Sequence, residues 1–455
     1  MKIHFIAIGG SAMHNLALAL HKKKYDITGS DDTIYNPAKN RLKKAGIFPK
    51  KVGWYPEKIN KKINAVILGM HAKSNNPELL KAQKLGIKIY SYPEYIYEQS
   101  KDKTRVVISG SHGKTTITSM ILHVLKLCEI KFDFMVGAQL EGFSTMVQLT
   151  NAPIIILEGD EYLSSAIDRQ PKFMHYKPKI ALITGIAWDH VNVFPSFEKY
   201  VNQFKKLIKA IKQDGSIIYY EKDNILNDLV SKNTSNKTKI ISYSAPEYKI
   251  LNNKVILSNN KTTINIFGKH NLENLSGAKK VCSALGVSDK DFYTSIKSFS
   301  GASNRLELIG KYKNLTIYKD FAHSPSKVKA TVDAVKEQHK DKRLIACFEL
   351  YTFSSLNKQF LSQYNKTLNK SDKAIVYFNP KNIEKKQLPK FSLSKVEKVF
   401  NHHDLLVTND TKKLIAMIKK STKKNDVILL MSSGKFGGIS LEKLVIELRK
   451  KISSL

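Results

Sequence analysis

The stretch Thr104-Arg-Val-Val-Ile-Ser-Gly-Ser-His-Gly-Lys-Thr-Thr116 decides how the middle of this chain folds. An apolar β-branched run, Val106–Ile108, leads into a glycine turn, and an apolar stretch with helical character follows from Ile117 to Leu127. A strand, a tight glycine loop and a helix N-terminus form a phosphate cradle, because backbone N–H groups and the positive end of the helix dipole face the anion. The sequence therefore predicts a phosphate-binding loop.

The loop residues that we expect to bind a nucleotide are Gly110, Ser111, His112, Gly113, Lys114, Thr115 and Thr116. Lys114 can reach the outer phosphates, and the Thr115 hydroxyl can bind Mg²⁺. The full P-loop pattern has a glycine where this chain has Ile108, so the loop is a shortened form. An ordinary turn between a strand and a helix is the alternative, and the motif context disfavours it.

The composition indicates a large α/β protein. With 455 residues the chain can form several cores, and about two to four domains are expected. Apolar strands alternate with amphipathic helices, which favours parallel sheets. The net charge of +36 suggests a nucleic-acid partner, but only six of the 75 basic residues are arginine and the lysines are dispersed. We therefore interpret the charge as a solvated surface and expect no specific nucleic-acid binding.

Cysteine usage and hydropathy indicate a cytoplasmic protein. The three cysteines (Cys128, Cys282 and Cys347) are far apart in the sequence and form no Cys-x-x-Cys pair, so reduced thiols are expected. The N-terminal apolar run is short for a signal peptide. No run approaches the roughly 20 apolar residues that a membrane helix needs, so no membrane partner is expected.

Composition and motifs divide the chain into three predicted domains, residues 1–102, 103–301 and 302–455. The first is a Rossmann-like unit, with Gly9, Gly10 and Ser11 after its first strand, Ser30 and Asp31 after the second and His71 after the third. The second is P-loop ATPase-like with a parallel sheet. The third is another Rossmann-like α/β unit. We expect a monomer or a weak homodimer.

Two further polar motifs follow strands in the second domain. Glu158 follows the predicted strand Ile154–Leu157, and Asp189-His190 follows the predicted strand Ile180–Thr184. Ligands bind at the carboxyl ends of strands in open α/β sheets, and a carboxylate beside a phosphate loop is a natural anchor for Mg²⁺. Polar turns and packing pairs are the alternatives.

Two more groups of polar residues lie around the boundary of the third domain. His270, Asn271 and Asn274 begin a helix, and their in-plane donors and acceptors could read a base edge, although a capped helix start is an equal alternative. Arg305 stands at the domain boundary, where it could move onto a nucleotide. Asp320 could bind ribose hydroxyls.

Taken in order, these motifs resemble those of the Mur ligase family of ATP-dependent amide-forming enzymes. Gly-x-His-Gly-Lys-Thr-Thr, Glu-x-Asp-Glu, Asp-His, His-Asn-x-x-Asn and Asp-Phe-Ala-His-x-Pro all occur with family-like spacing across essentially the whole chain. The resemblance implies that ATP phosphorylates a carboxylate and that an amine then attacks the acyl phosphate.

Roles for individual residues follow from the resemblance. It implies that Lys114 neutralises the transferring phosphoryl group, and that Thr115, Glu158 and His190 hold Mg²⁺. It implies that His270, Asn271 and Asn274 seat adenine, and that Arg305 and Asp320 act on the nucleotide. His323 would position or deprotonate the amine, with a structural hydrogen bond as an equal alternative. We expect Lys114→Ala to abolish ligation without unfolding the protein, because an exposed loop lysine adds little to stability.

The N-terminal motifs resemble the subgroup that binds UDP-N-acetylmuramate, which makes Gly9, Gly10, Ser11, Ser30, Asp31 and His71 candidate substrate residues. Within that subgroup one member adds L-alanine and another adds the tripeptide L-alanyl-γ-D-glutamyl-meso-diaminopimelate. Four segments resemble the tripeptide enzyme, which we favour: Asp160–Tyr162, Asp168-Arg169, Lys172–Tyr176 and Met431–Gly438. Arg169 has a planar guanidinium that suits a distal carboxylate of a peptide.

The sequence departs from the family pattern at three positions. Gly185 stands where the family usually has Asn, Asn304 replaces the first Arg of a usual pair, and Ser324 replaces a second His. These changes bear on catalytic tuning and substrate choice more than on the type of reaction. Two alternatives are weaker: a folylpolyglutamate-synthase-like ligase, and a P-loop ATPase that binds nucleic acid.

Overall fold

A computed structural model describes residues 1–259, 261–302, 305–313 and 315–454. The chain forms two compact units. The first comprises Met1–Ile186, Glu198–Ser244 and Gly277–Phe292, and the second comprises Ala187–Phe197, Ala245–Ser276 and Tyr293–Leu455. Among the described residues, no helix is both long enough and apolar enough to cross a membrane.

The first unit begins with a four-stranded parallel sheet in the order β2-β1-β3-β4. Its strands are β1 (Lys2–Ile6), β2 (Asp26–Ser30), β3 (Ala65–Leu68) and β4 (Ile89–Ser91), and its helices are α1 (Ser11–Lys22), α2 (Ala38–Lys44), α3 (Pro77–Lys84) and α4 (Tyr92–Glu98). All four residues of β3 are buried. This is the Rossmann-like arrangement predicted for the N-terminal segment.

A seven-stranded sheet follows, in the order β11-β10-β9-β5-β8-β6-β7. Its strands are β5 (Thr104–Ser109), β6 (Phe132–Met135), β7 (Val147–Gln148), β8 (Ile154–Glu158), β9 (Ile180–Ile183), β10 (Ser216–Tyr220) and β11 (Lys239–Tyr243), and its helices are α5 (Lys114–Leu127), α6 (Lys172–His175), α7 (Phe197–Ala210) and α8 (Asn224–Asn233). All neighbours are parallel except the edge pair β6–β7. Because β5 lies between β8 and β9, the loops that follow these three strands lie together.

Helices α9 (Lys269–Ala284) and α10 (Asp289–Ile296) continue the chain, and a small antiparallel sheet precedes them. That sheet is formed by β12 (Tyr248–Leu251), β13 (Lys254–Leu257) and β14 (Thr263–Ile264). Sequence analysis did not predict it. Its strands have only four, four and two residues, which is too short for the spacing of apolar residues to identify a strand.

The second unit contains a six-stranded sheet in the order β15-β16-β20-β17-β18-β19. Its strands are β15 (Glu307–Tyr312), β16 (Leu315–Asp320), β17 (Leu344–Leu350), β18 (Lys373–Phe378), β19 (Leu405–Thr408) and β20 (Val427–Met431), and its helices are α11 (Pro325–Gln338), α12 (Phe353–Leu356), α13 (Pro380–Lys385), α14 (Leu393–Phe400), α15 (Thr411–Ser421) and α16 (Leu441–Ser453). Only β15 is antiparallel to its neighbour among these strands. Every residue of β17 is buried, with apolar clusters on both faces.

The predicted fold class is confirmed: three α/β sheets succeed one another, and the middle sheet carries the phosphate loop. The helix after that loop begins at Lys114, three residues before the predicted apolar stretch, because the polar first turn is itself helical. The domain boundaries at residues 102 and 301 stay a prediction. Asn304, one of the departures from the family pattern, lies outside the described residues.

Candidate functional site

The phosphate loop joins β5 to α5 through two glycines with positive φ. Gly110 has φ 115° and Gly113 has φ 74°. A Cβ atom at Gly110 would lie 2.2 Å from Thr184 Oγ1, so both the backbone conformation and the space require glycine there. Gly113 is the N-cap of α5 and supplies no side-chain cap. The first N–H groups of the helix therefore face the loop, as an anion site requires.

Lys114 is not the exposed residue that sequence analysis expected. Its side chain is 15% exposed, and its Nζ donates to Gly110 O at 2.7 Å and to Glu161 Oε2 at 2.8 Å. Burial alone would lower the pKa of Lys114, but the neighbouring carboxylates, Glu161 above all, raise it above its usual value. The predicted exposure of this lysine is wrong, because its side chain pairs with a buried carboxylate.

Sequence reasoning missed the residue that holds Glu161 on its other side. Tyr200 on α7 is fully buried, and its hydroxyl donates to Glu161 Oε1 at 2.9 Å. The same hydroxyl lies 2.8 Å from Ser111 Oγ in the phosphate loop. A buried tyrosine hydroxyl needs a polar partner. Tyr200 and Glu161 are 39 positions apart, so the sequence around either residue does not indicate the other.

Thr115 and Glu158, both predicted to anchor a metal, are brought together. The Thr115 hydroxyl donates to Glu158 Oε1 at 2.7 Å, and the N–H of Gly137 donates to Glu158 Oε2 at 2.8 Å. A hydroxyl and a carboxylate are the hard oxygen donors that Mg²⁺ prefers, so these two residues fit that ion chemically.

Gly185, which departs from the family pattern, has a backbone conformation that favours glycine. Its φ is 128°, and a Cβ atom there would lie 3.1 Å from Asp223 Oδ2. That oxygen accepts a hydrogen bond from the N–H of Ile186 at 2.6 Å. The carbonyl of Gly185 in turn accepts from the N–H of Ser111 at 3.0 Å. A side chain at position 185 would disturb contacts that support the phosphate loop.

A cavity of about 370 Å³ lies beside the first glycines of the chain. Its lining residues are Gly9, Ser11, His14, Thr33, Tyr35, Asn36, Pro37, Ala38, Arg41, Gly137, Ala138, Gln139 and Met146. Arg41, which sequence analysis did not select, donates to Gln139 Oε1 at 2.9 Å. Arginine is rare in this lysine-rich chain, and this rarity could have indicated Arg41 as a candidate.

The other predicted substrate residues of the N-terminal sheet are placed differently. Asp31 is buried, and its Oδ2 accepts from the N–H of Gly9 at 2.7 Å. Burial raises the pKa of Asp31 to about 6, in spite of that hydrogen bond. Gly10 is the N-cap of α1 and Ser30 is fully buried, whereas His71 is exposed.

Arg169 is exposed on a small hairpin, residues 163–171, that joins β8 to α6. The hairpin is closed by a bridge between Leu163 and Pro171 and by the N–H of Ser164, which donates to Gln170 O at 3.0 Å. No carboxylate lies within ion-pair distance of Arg169 in the part of the chain that is described. The guanidinium is therefore available to a ligand.

In the second unit, Asp189 lies between two basic side chains. His323 Nε2 is 3.7 Å and Lys327 Nζ is 3.8 Å from Asp189 Oδ2. Burial opposes its ionisation, but His323 and Lys327 hold the pKa of Asp189 well below its usual value. His190 follows with φ 56°, and its N–H donates to Asp189 Oδ1 at 2.8 Å.

The ring of His323 contacts an acceptor on each side. Its Nδ1 lies 2.8 Å from Phe321 O, which can only accept, so Nδ1 carries a proton, and its Nε2 faces Asp189 Oδ2 at 3.7 Å. Burial and the charge of Lys327 lower the pKa of His323. The imidazole is therefore held between Phe321 O and the Asp189 carboxylate.

The predicted nucleotide residues of the second unit are mostly buried. Asp320 accepts from the N–H of Ala322 at 2.6 Å and from that of Leu306 at 2.7 Å. The Arg305 guanidinium lies 4.8 Å from the centre of the Phe321 ring.

The predicted base-reading group begins helix α9. Burial lowers the pKa of His270, and the charge of Asp320 partly offsets this. Asn271 and Asn274 are each 8% exposed, and Asn271 donates to Phe267 O at 2.9 Å. The remaining departure, Ser324, is the N-cap of α11, and its buried hydroxyl has no hydrogen-bond partner among the described residues.

Three family models match successive parts of the chain. The model described as "Mur ligase family, catalytic domain" matches residues 2–104. The "Mur ligase middle domain" matches residues 108–282, and the "Mur ligase, glutamate ligase domain" matches residues 304–434. The three matches together cover nearly the whole sequence in the order expected of one enzyme.

Individual relatives agree with these matches. The chain is 32% identical to a UDP-N-acetylmuramate–L-alanine ligase of Caldicellulosiruptor bescii, over 82% of this chain and 83% of that protein. It is 28% identical to the UDP-N-acetylmuramate–L-alanyl-γ-D-glutamyl-meso-2,6-diaminoheptandioate ligase of Escherichia coli, over 99% of both chains. The crystal structure of a murein peptide ligase from Psychrobacter arcticus has the same fold, with a TM-score of 0.65, 24% identity and 99% of both chains covered. The chain belongs to the Mur ligase family of ATP-dependent, amide-forming ligases.

Proposed function

We propose that this ligase joins the carboxylate of UDP-N-acetylmuramate to the amine of L-alanyl-γ-D-glutamyl-meso-diaminopimelate, in peptidoglycan synthesis or recycling. In this reaction the muramate carboxylate attacks the γ-phosphorus of ATP and ADP leaves. The peptide amine then attacks the acyl phosphate, and phosphate leaves. The full-length match to the relative that is named for this tripeptide supports the proposal.

The position of Gly137 is the observation that carries the proposal. This residue lines the cavity beside Gly9 and Arg41, and its N–H also donates to Glu158 at 2.8 Å. Glu158 in turn accepts from Thr115 in the phosphate loop. A sugar nucleotide in the cavity would therefore lie close to the phosphate loop, and carboxylate phosphorylation requires this proximity.

We assign the cavity to the diphosphate part of the sugar nucleotide. The N-cap of α1, Gly10, offers no side-chain cap, so the N–H groups of the first helical turn are available to an anion. Arg41 adds a fixed positive charge on the same cavity. A planar guanidinium can bind phosphate oxygens in pairs, which a lysine cannot do.

Thr115 and Glu158 would hold Mg²⁺, which when bound stabilises negative charge on the transferring phosphoryl group. Lys114 would neutralise the same charge. His190 remains part of the proposed metal site, although an imidazole nitrogen is a softer donor than Mg²⁺ usually takes. In the second unit we propose that His270, Asn271, Asn274, Arg305 and Asp320 serve the nucleotide and that His323 serves the amine.

The amine substrate has two candidates, the tripeptide and L-alanine, because a relative at 32% identity is named for L-alanine. The exposed Arg169 supports the tripeptide, since a tripeptide carries carboxylates beyond its reacting end whereas L-alanine carries one. L-Alanine stays the alternative. The three cysteines form no disulfide within the described residues, which is consistent with a cytoplasmic location, and we also propose that location.

Phosphate release with ATP, Mg²⁺ and UDP-N-acetylmuramate tests the proposal when tripeptide and L-alanine are offered separately. We expect a much higher kcat/KM for the tripeptide. Arg169→Ala should reduce that preference, and Arg449→Ala, which removes another exposed arginine, should not. Efficient use of L-alanine with no use of tripeptide would assign the chain to the alanine-adding reaction instead.

A further inference from the structure

Three side chains that can bind a metal ion lie close together outside the phosphate loop. Glu94 comes from α4, Asp168 from the 163–171 hairpin and His175 from the last position of α6. One carboxylate or imidazole atom from each lies within 4.8 Å of the other two. All three residues are half-buried. Segments distant in the sequence thus present donor atoms to one common point.

The contact between Asp168 and His175 lacks hydrogen-bond geometry. His175 Nε2 is 2.6 Å from Asp168 Oδ2. Both atoms are inaccessible to solvent, and neither has a hydrogen-bond partner in the described part of the chain. The ring N–H direction therefore does not point at the oxygen, although the two atoms touch. Buried polar atoms without partners are rare in native proteins and call for an explanation such as a missing ion.

The two carboxylates also lack the cations that this chain offers in excess. The net charge is +36, yet within the described ranges neither Glu94 nor Asp168 has a Lys or Arg nitrogen within 4.0 Å. The nearby Lys172 pairs with Asp160 instead, at 2.8 Å. Among the described residues the basic side chain beside these partly buried carboxylates is the His175 imidazole, and buried charges are normally paired or bound to a metal.

Glu94 can contribute one oxygen without giving up its structural role. Its Oε2 accepts from the N–H of Ser91 at 2.6 Å and from the Ser91 hydroxyl at 2.7 Å, which forms the capping box of α4. The other carboxylate oxygen has no such bond among the described residues. The helix start therefore holds this side chain in place beside Asp168 and His175.

We propose that Glu94, Asp168 and His175 form a binding site for a divalent transition-metal ion, with Zn²⁺ the best-matched candidate. One imidazole and two carboxylates are a donor set that Zn²⁺ accepts, with remaining positions open to water. Mg²⁺ prefers oxygen donors and is a poor match for the imidazole. The site is distinct from the Thr115–Glu158 pair.

The bound ion would link two parts of the first unit. It would join α4 of the N-terminal sheet to the 163–171 hairpin that follows β8. The hairpin carries Arg169 next to the ligand Asp168, so the ion would also fix the backbone that presents this guanidinium. The role of the ion is structural, and the proposal does not depend on which acceptor the enzyme uses.

Metal content of the full-length protein tests the proposal. Chelator-treated protein would be equilibrated with Zn²⁺, freed of excess ion and analysed for zinc by mass spectrometry, with Co²⁺ as a coloured substitute. We expect one Zn²⁺ per chain, a higher melting temperature with Zn²⁺, and no displacement by excess Mg²⁺. His175→Gln and Asp168→Asn should each lose the ion.

Two further variants make the result interpretable. Glu94→Gln keeps an oxygen for the capping box, so it should weaken zinc binding while the protein stays folded. His402→Gln removes a histidine from the stacked His402–His403 pair and should leave the zinc content unchanged. Absence of zinc from the wild-type protein would overturn the proposal. Zinc retained by both Glu94→Gln and His175→Gln would also overturn it, since the ion would then bind elsewhere.

Discussion

The hydroxyl of Tyr200 donates a hydrogen bond to Glu161 at 2.9 Å, and this contact fixes the carboxylate that in turn holds the phosphate-loop lysine. Both residues are at most 1% exposed. A charged hydrogen bond in such surroundings is stronger than one in water. The lysine is thus positioned by a side chain from α7, which lies well beyond the loop in the sequence.

Tyr200→Phe is expected to impair use of ATP. The substitution keeps the ring but removes the hydroxyl, leaving Glu161 Oε1 and Ser111 Oγ without this partner. Loss of a hydrogen bond to a charged group costs about 1.5–3 kcal/mol, so kcat/KM for ATP should fall about tenfold or more. Steady-state kinetics measure this. Tyr219→Phe, which removes an exposed hydroxyl bonded to Asn227, should leave the kinetics unchanged.

Lys114→Ala is expected to abolish ligation and to destabilise the protein as well. Removal of the lysine leaves Glu161 buried without its cation, which typically costs about 3–5 kcal/mol. The double variant Lys114→Ala/Glu161→Gln removes both charges and should melt at a higher temperature than Lys114→Ala alone. Calorimetry on wild type, Lys114→Ala, Glu161→Gln and the double variant gives the coupling free energy between the two side chains. Equal melting temperatures for the single and double variants would contradict the ion pair.

The phosphate loop could be predicted because its motif is contiguous in the sequence. The side chains that hold the loop in place could not be predicted, because they come from distant parts of the chain. Glycine and Lys-Thr-Thr follow an apolar run directly in the sequence, and each of these residues belongs to the loop itself. Tyr200 acts on Ser111 across 89 positions, and its place on an amphipathic helix is also typical of an ordinary core aromatic. The partners of Lys114 were missed for the same reason, so its exposure was wrongly predicted.

Asp31 is expected to make stability fall as the pH rises from about 4 to about 6. Its pKa is about 6 in the folded protein, whereas the ordinary value of an aspartate, which applies to the unfolded chain, is 3.8. The folded form therefore holds more protons than the unfolded form between these values, and ionisation at higher pH destabilises it. Asp31→Asn removes this effect and keeps an acceptor for Gly9. Melting temperatures of both proteins measured from pH 4 to pH 8 should diverge, with the variant more stable at the upper end.

Gly185→Asn restores the residue that the family usually has, but it is expected to harm this protein. The φ of 128° and the 3.1 Å approach to Asp223 disfavour any side chain there. Backbone strain of this kind costs about 1–3 kcal/mol, so the melting temperature and the turnover should both fall. Gly86→Asn is the matched control, since that glycine has φ 66° and open space around it. Equal effects of the two substitutions would show that Asp223 does not constrain position 185.

Arg41→Ala is expected to raise the KM for UDP-N-acetylmuramate and to leave the KM for ATP unchanged. Arg41 lines the cavity assigned to the diphosphate, and its guanidinium is held by Gln139 at 2.9 Å. Loss of a charged contact to phosphate should raise KM about tenfold or more. Arg41→Lys keeps the charge but not the planar fork, so its KM should lie between those of wild type and Arg41→Ala. Gln139→Ala should have a smaller effect, because it loosens the guanidinium without removing it. If Arg41→Ala instead changes the KM for ATP and spares that for the sugar nucleotide, the assignment of this cavity is wrong.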